Sequence, residues 1–179
     1  MHVPGKWAVM SCTLAAGQSL RWLRDTCCAG EVAEAAKQGV DPYELMTALA
    51  EKTPIGADGL LFLPYLMGER SPINDTNARA TFLGMSMDTT RSDMVQAVLE
   101  GVAFAIRDSF EVAKSLGIQI QRSKVCGGGA KSPLWRQIFA NVLNLPLDIP
   151  QTEEALYLWP CWRWWAAGCI PASRIAPMR

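Results

Sequence analysis

The chain has 179 residues and half of its side chains are apolar, so it can bury the core of one domain or of two small ones. Its 17 basic and 17 acidic residues cancel, which indicates neither a nucleic-acid-binding surface nor an acidic tail. No apolar run approaches the roughly 18 to 20 residues of a membrane span, and the N-terminus lacks a basic region followed by an apolar one. The composition therefore predicts a soluble, cytoplasmic protein with no membrane or nucleic-acid partner.

The first third of the sequence predicts one strand and two helices. Residues 3–14 are rich in apolar and β-compatible side chains, which is typical of a strand. Residues 17–28 have Leu20 and Leu23 at helical spacing. Asp41 followed by Pro42 indicates an N-cap with proline at the first helical position, so a helix is expected up to residue 50.

The rest of the sequence continues the alternation of strands and helices that defines an α/β fold. A loop of turn-forming residues at 68–77 separates two predicted strands, and Gly117 ends a long predicted helix. In chain order the predicted elements are a strand at 60–66, a strand at 81–87, a helix at 92–116, a strand at 124–126, a helix at 132–143 and a strand at 147–149.

Cysteine and histidine usage limits the chemistry that the chain can perform. Its six cysteines form no C-x-x-C pair, and adjacent Cys27 and Cys28 are a poor start for a disulfide framework, so free thiols are expected. His2 is the only histidine, which argues against a histidine-based metal site and against a Ser-His-Asp triad. We assign no catalytic residue and no metal ligand within this chain.

Three consecutive glycines, residues 127–129, lie between a predicted strand and a predicted helix. Glycines let the backbone approach a ligand closely, and the free N–H groups of a helix start favour an anion or a polar ring edge. Neither G-x-G-x-x-G nor the G-x-x-x-x-G-K-[ST] phosphate loop is present. The alternative is a tight turn with Ser132 as N-cap and Pro133 at the first helical position. The pattern alone leaves nucleotide binding and a purely structural turn both open.

Two long stretches, residues 60–117 and 125–143, resemble the C-terminal domain of the FGGY carbohydrate kinases. The family's second signature fits from Ala80 to Glu100, and the Gly-Glu-Arg-Ser-Pro loop at 68–72 is similar to the Gly-Glu-Arg-Thr-Pro of the branch that acts on xylulose. Residues 3–25 also resemble the start of that domain, so the likeness covers residues 1–154. It implies a ribonuclease-H-like, actin-like ATPase lobe with a mixed sheet flanked by helices.

The resemblance also implies where a nucleotide would bind. In these kinases sugar and ATP lie between two lobes, and the C-terminal lobe supplies most of the adenosine site. Carried over by position, Gly128, Gly129 and Ala130 would line the adenine and ribose, while Gly17 and Arg21 would lie near the ribose and phosphates. Gly17 and Arg21 are four residues apart and share a helix face, although a solvated surface arginine is an equally good interpretation of Arg21.

The expected function follows from the part of the family that the chain resembles. In these kinases the aspartate base, the carboxylate that holds Mg²⁺ and most sugar contacts belong to the N-terminal lobe, and nothing before Val3 resembles that lobe. We therefore expect the C-terminal part of an ATP-dependent kinase of D-xylulose that does not turn over alone. Its partners would be ATP with Mg²⁺, a ketose sugar and the missing lobe, and a homodimer is compatible with the likeness. The alternative is a non-catalytic interaction module that reuses the lobe.

Several conspicuous side chains also have structural interpretations. Glu69 and Arg70 could contact substrate or the other lobe, but a loop stabilised by its own ion pair explains them equally well. Trp135, at helical spacing with Ile138 and Phe139, is interpreted as core rather than as a stacking platform for a base. Asp93 is interpreted as an acid that complements the dipole of a helix start.

The sequence departs from the family after Glu154. Residues 155–179 hold four of the seven tryptophans, three arginines and no acid. We interpret this tail as the product of a one-base frameshift, because its tryptophan codons, re-read one base earlier, give residues that resemble the helix end of the family. The alternative is an aromatic anchor for a membrane surface or a partner, although Pro160 and Pro171 would interrupt a long amphipathic helix.

Overall fold

Helices supply most of the regular structure in the computed structural model, which describes residues 9–150 and the strand backbone at residues 172–175. The helices are α1 (Ala16–Cys27), α2 (Ala29–Gln38), α3 (Pro42–Ala50), α4 (Arg91–Ser115) and α5 (Pro133–Leu143). The strands are β1 (Leu61–Leu63), β2 (Thr81–Leu83), β3 (Ser123–Lys124), β4 (Leu147–Pro150) and β5 (Ala172–Ile175).

The strands form two small sheets in the described residues. Strands β1 and β2 pair antiparallel, with Phe62 opposite Phe82. The second sheet has the order β3-β4-β5, in which β3 is parallel to β4 and β5 is antiparallel to it. Because α5 connects the parallel strands β3 and β4, this unit is a short βαβ crossover. The prediction of an α/β fold with a mixed sheet is therefore confirmed.

Helix α4 is the centre of the hydrophobic core. Its buried face includes Val95, Val98, Leu99 and Val102, and it packs against α1, α3, α5 and β1. The contact with β1 is a backbone-to-backbone approach at Gly101, where an added Cβ would lie 3.0 Å from the carbonyl carbon of Phe62. A glycine is thus required at the point where the hairpin lies on the helix.

The start of α4 is fixed by a capping box. The N-cap Thr90 accepts a hydrogen bond from the backbone N–H of Asp93, and the Asp93 carboxylate accepts one from the backbone N–H of Thr90 at 2.7 Å. Thr53 Oγ1 donates a further hydrogen bond to Asp93 Oδ1 at 3.2 Å. The predicted early helix acid is therefore a capping residue that also ties α4 to the segment after α3.

We expect the protein to lose stability in acid partly through Asp93. Burial would raise the pKa of its carboxyl, but the hydrogen bonds from Thr90 and Thr53 outweigh burial and hold the pKa below its ordinary value. A lowered folded-state pKa gives stability that is complete above about pH 4 and is lost as the pH falls through the folded value. Urea unfolding between pH 2 and 6 should therefore show a shallower acid slope for Asp93→Asn, and an unchanged slope would contradict this role.

The structure corrects the prediction for the first described residues. Residues 9–14 lie outside any strand, and residues 3–8 of the predicted strand lie outside the described part of the chain. The backbone here bonds to the loop at 68–72 instead of to a ladder: Ser71 N–H donates to Cys12 O, and Leu14 N–H donates to Glu69 Oε1. Apolar, β-compatible side chains thus indicated an extended chain but not its hydrogen-bond partners.

The other predicted elements agree with the structure, except that three of the strands are shorter than predicted and one helix is added. The predicted strands at 60–66 and 81–87 reduce to β1 and β2, and α2 was not predicted. Helix α2 has no side-chain N-cap, but it ends at Gly39 in the left-handed conformation (φ 69°). A glycine after the run Ala-Glu-Ala-Ala-Lys-Gln was therefore the signal that could have revealed it.

Other sequence predictions concern thiols, membranes and the tail. Cys12, Cys27, Cys28 and Cys126 are free, as expected, whereas Cys161, Cys169 and the domain boundary after residue 154 lie outside the described residues. Among the described helices, none combines the length and apolarity needed to cross a bilayer. The structure describes only one part of the tail, the backbone of β5, which pairs with β4.

Candidate functional site

A cleft of about 350 Å³ lies between α1, α3 and the start of α5. We call it the glycine cleft. Its walls include Gly17 of α1, Tyr43 and Thr47 of α3, Gly128 and Gly129 of the triglycine turn, and Trp135 of α5. The structure thus brings Gly17 to the same cavity as two glycines that lie more than a hundred residues later in the chain.

The triglycine turn is built as a strand-to-helix connection. Gly127 has a positive φ of 89°, and residues Gly128–Lys131 form a 3-10 turn. Ser132 caps α5 by accepting a hydrogen bond from the backbone N–H of Trp135 at 3.2 Å, and Pro133 follows at the first helical position. The structural interpretation of the turn is therefore confirmed, and the same turn also borders the cleft.

The glycines of the cleft differ in what surrounds them. A Cβ added at Gly17 or at Gly128 would meet no other atom within 4 Å, so a side chain at either position would extend into open space. A Cβ at Gly129 would lie 2.8 Å from Cζ3 of Trp135. Gly17 and Gly128 therefore keep the cleft open, whereas Gly129 lets the turn pack on the indole.

The remaining two positions that the resemblance suggested are placed differently. Ala130 is buried, with 8% of its surface exposed, and it does not line the glycine cleft. Arg21 lines a neighbouring groove together with Trp22 and Asp25, and its Nε lies 4.0 Å from Oδ2 of Asp25. The Arg21 side chain is 61% exposed, as in the solvated surface arginine that was the alternative interpretation.

Helix α3 supplies a wall of the cleft that sequence reasoning missed. Asp41 caps this helix by accepting a hydrogen bond from Tyr43 N–H at 3.0 Å. Arg24 Nη1 donates to Tyr43 Oη at 3.0 Å, and the Arg24 guanidinium lies 5.1 Å from the centre of the Tyr43 ring. The tyrosine is therefore held by a hydrogen bond and a cation–π contact from α1. The Asp-Pro pair revealed the helix, but no local pattern revealed which element it faces.

Trp135 belongs to the core and also borders the cleft. It is 4% exposed, its Nε1–H donates to the carbonyl of Leu99 at 3.0 Å, and its ring stacks on Phe139 with centroids 5.6 Å apart. The interpretation of Trp135 as a core residue is confirmed. Because its indole packs on Gly129 and bonds to α4, Trp135 fixes the triglycine turn to the centre of the domain.

Glu69 is buried away from the glycine cleft. It is 1% exposed, and its Oε1 accepts hydrogen bonds from the backbone N–H groups of Leu14 at 3.2 Å and Arg70 at 2.7 Å. Its other oxygen, Oε2, has no hydrogen-bond partner among the described residues. The carboxylate thus anchors the loop at 68–72 to the entry of α1 through main-chain groups rather than through an ion pair with Arg70.

The polar groups of the glycine cleft come from two sides. Helix α3 contributes the exposed carboxylates of Asp41 and Glu44, and the triglycine turn contributes Lys131. In residues 9–150, no group of three or more His, Cys, Asp or Glu side chains is placed to hold a metal ion.

Burial, reinforced by Glu31 and Cys27, raises the pKa of Cys28 to about 11, so this thiol stays protonated and is a poor nucleophile.

Comparison with known proteins gives one family match that spans most of the chain. Residues 1–158 match the model of the C-terminal domain of the FGGY family of carbohydrate kinases. Among curated proteins, the chain is 38% identical over 152 residues to a xylulose kinase of Staphylococcus epidermidis, covering 85% of this chain and 29% of that protein. It is 36% identical over 146 residues to a gluconokinase of Bacillus licheniformis, covering 81% of this chain and 28% of that protein.

Comparison with solved structures shows that the chain shares the fold of carbohydrate kinases. The crystal structure of a xylulose kinase from Rhodospirillum rubrum superposes with a TM-score of 0.77 at 31% identity, covering 94% of this chain and 35% of that chain. The chain therefore spans about a third of the length of the proteins that it matches, and its match is to their C-terminal domain.

Proposed function

Because this chain belongs to the FGGY family of carbohydrate kinases, whose actin-like ATPase fold it shares, we propose that it is the nucleotide-binding lobe of an ATP-dependent sugar kinase. The observation that carries this proposal is the glycine cleft. It joins Gly17, Gly128 and Gly129, three of the five positions that the sequence pointed to, in one cavity. Its volume is within the range of about 300 to 1,000 Å³ that small-ligand sites occupy.

The fit of a nucleoside to this cleft is supported by shape and by chemistry. The open space beside Gly17 and Gly128 admits the flat edge of a ring or a ribose close to the backbone. Asp41 and Glu44 are acceptors suited to ribose hydroxyls or to an exocyclic amino group, and they would repel phosphates. We therefore place the adenosine between α3 and the triglycine turn, with Ala130 supporting that turn from its buried side.

The phosphates of a bound ATP would then extend out of the cleft, away from the carboxylates of Asp41 and Glu44. Arg21 lies one helical turn beyond Gly17 and outside the cleft, so it would contact ATP only where the phosphates extend along α1. When bound, ATP supplies the phosphoryl group that is transferred. We propose that the ligands of Mg²⁺ and the base for the sugar hydroxyl belong to the two thirds of the relatives that this chain does not cover, so the chain alone does not phosphorylate a sugar.

Xylulose is the sugar that we propose. The supporting observations are the Gly-Glu-Arg-Ser-Pro loop at 68–72 and the similarity to xylulose kinases in both comparisons. The comparable identity to a gluconokinase makes gluconate the main alternative, since the residues that select the sugar lie mostly in the uncovered part. A complete kinase carrying this domain, assayed with D-xylulose and with gluconate, distinguishes the two.

Leucine at position 17 tests the nucleotide site directly. We expect Gly17→Leu to weaken binding of ATP with Mg²⁺ by about tenfold or more, because its side chain would occupy the cleft. The fold should tolerate this change, since a Cβ at Gly17 meets no protein atom within 4 Å. Isothermal titration calorimetry gives the affinity, and thermal melting checks the fold.

Gly30 offers a matched control for this substitution. Like Gly17, it is an exposed glycine at the second position of a helix, and its added Cβ would meet only the end of the Arg91 side chain, at 3.6 Å. Gly30→Leu should bind ATP like the unaltered chain. Equal affinities for both leucine variants, or an unaltered chain that gives no adenosine-dependent heat, would contradict the proposed site.

A further inference from the structure

Tyr43 of α3 borders the glycine cleft with an aromatic ring that the core leaves partly uncovered. Of the described residues that line the cleft, Tyr43 and Trp135 carry aromatic side chains. Trp135 is 4% exposed, and its indole stacks on Phe139 and packs against Gly129. Tyr43, in contrast, is only partly buried against the core. The ring of Tyr43 is therefore the aromatic surface that the cleft offers to a ligand.

Arg24 of α1 holds the ring of Tyr43 in place. Its Nη1 donates to Tyr43 Oη at 3.0 Å, and its Cζ lies 5.1 Å from the centre of the ring. Because Tyr43 lines the cleft and Arg24 does not, the ring lies between the guanidinium and the cavity. The hydrogen bond at the hydroxyl and the cation–π contact at the ring fix the tyrosine before any ligand binds, which lowers the cost of ordering it on binding.

Asp25 in turn fixes the guanidinium of Arg24. Arg24 Nε donates to Asp25 Oδ1 at 2.7 Å, and Arg24 Nη2 lies 2.6 Å from the same oxygen. Two contacts from one guanidinium to one carboxylate restrict its orientation. The carboxylate also balances the positive charge of Arg24. Holding the ring, rather than attracting phosphates, is therefore the role that suits this arginine.

The rest of the α3 wall suits a flat ring with a polar edge. Thr47 lies one turn after Tyr43, and its hydroxyl donates back to the carbonyl of Tyr43 at 2.9 Å. The polar groups that α3 offers to a ligand are instead the exposed carboxylates of Asp41 and Glu44, which accept hydrogen bonds. An aromatic face beside such acceptors fits a base with an exocyclic amino group better than it fits a sugar or a phosphate.

We propose that Tyr43 is the platform on which the nucleobase stacks in the glycine cleft, and that Arg24 is the residue that positions this platform. The base lies between the tyrosine ring and the triglycine turn, where Gly128 leaves open space. The assignment rests on the proposed function, since it concerns the same cleft, and it adds which part of the nucleotide α3 recognises. Because every base has a flat π face, the platform selects by the size of the stacked ring system.

Leucine at position 43 removes the aromatic face and keeps an apolar side chain. We expect Tyr43→Leu to weaken binding of ATP with Mg²⁺ by about tenfold or more in isothermal titration calorimetry. CTP also carries an exocyclic amino group but has a single ring, so the unaltered chain should prefer ATP to CTP by about fivefold or more. In Tyr43→Leu this preference should fall to about twofold or less. A tyrosine that only held α3 against α1 would weaken both nucleotides equally.

Methionine at position 24 tests the positioning role, because it keeps an unbranched stem without the guanidinium. We expect Arg24→Met to weaken ATP binding by about threefold to fivefold in the unaltered background, and to have no effect when Tyr43 is already leucine. Arg107→Met on α4 is the matched control. It removes a half-exposed helical arginine that pairs with Glu111 and does not line the cleft, so it should bind ATP like the unaltered chain.

Fluorine NMR follows the platform without a substitution in the cleft, and it decides the question if Tyr43→Leu or Arg24→Met fails to fold in thermal melting. The chain has three tyrosines, so incorporation of 3-fluorotyrosine gives a simple spectrum in which Tyr43→Phe assigns the signal of position 43. ATP should shift this signal more than that of Tyr65, which is 8% exposed and does not line the cleft.

Failure of the platform and failure of the nucleotide site give different results. If Gly17→Leu weakens ATP binding but Tyr43→Leu keeps both the affinity and the preference for ATP over CTP, the site stands and the platform is wrong. A Tyr43 fluorine signal that ATP leaves unmoved would also overturn the platform. A loss in Arg24→Met that persists in the Tyr43→Leu background would overturn the positioning role. An unaltered chain that does not bind ATP would contradict the proposed function and the platform together.

Discussion

Replacement of Gly101 by alanine is expected to lower the free energy of unfolding by about 3 kcal/mol or more, a large part of the stability of a domain of this size. The added Cβ would overlap the carbonyl oxygen of Phe62 and lie 3.0 Å from its carbonyl carbon. These are backbone atoms of β1, so no side-chain rotation relieves the overlap. Accommodation requires β1 to move off α4 and to open the contact around Phe62, which is 3% exposed.

Chemical denaturation of the two proteins measures this effect, and a second helical glycine supplies the control. An alanine at Gly30 makes only an ordinary contact with the Arg91 side chain, so Gly30→Ala should be neutral or stabilise α2 by about 0.5 kcal/mol. The same change from glycine to alanine is thus expected to lower the free energy of unfolding at position 101 but not at position 30. A Gly101→Ala protein as stable as the unaltered chain would show that β1 does not lie on α4 as described.

Truncation of Trp135 to alanine is expected to cost about 3 to 5 kcal/mol of stability and to abolish nucleotide binding. The indole is 4% exposed and stacks on Phe139, and its removal leaves a cavity beneath the triglycine turn. Gly129, which packs on the indole, would lose its support, so the cleft wall would no longer be fixed. Urea unfolding and calorimetry with ATP on the same sample give both effects.

Trp135→Phe separates packing from hydrogen bonding at this site. Phenylalanine keeps an aromatic ring against Phe139 but cannot donate to the carbonyl of Leu99, which the indole N–H does at 3.0 Å. We expect a loss of about 1 to 2 kcal/mol and retained, weaker ATP binding. If the alanine and phenylalanine variants were equally stable, the indole would not be the packing element that the structure indicates.

Elements whose signals are local were predictable from the sequence. Helix α4 carries its own capping box at Thr90 and Asp93, and α5 carries Ser132 and Pro133 at its start, so both were predicted to within one residue of their observed starts. Helix α2 begins without a side-chain cap, and only Gly39 marks its end. Residues 9–14 bond to a loop more than fifty residues away, which a local pattern does not contain.

The residues of the candidate site also divide into those with a local sequence signal and those whose position depends on distant contacts. The triglycine turn is a local feature and was found from its sequence, whereas the meeting of Gly17 with Gly128 was expected only through the resemblance. Tyr43 was missed because its position depends on how α3 packs against α1, through the contacts with Arg24. The direction in which Arg21 points was equally hidden, since helical spacing relates it to Gly17 but not to the neighbouring elements.

The way in which Glu69 holds its loop affects how this region can change during evolution. Among the described residues, its carboxylate accepts only from the main-chain N–H groups of Leu14 and Arg70, and any residue except proline presents the same donor. Positions 14 and 70 can therefore carry different side chains without releasing the anchor, whereas position 69 needs an acceptor oxygen of this reach, which only glutamate or glutamine supplies. Natural variation should concentrate at positions 14 and 70, while position 69 keeps glutamate or glutamine.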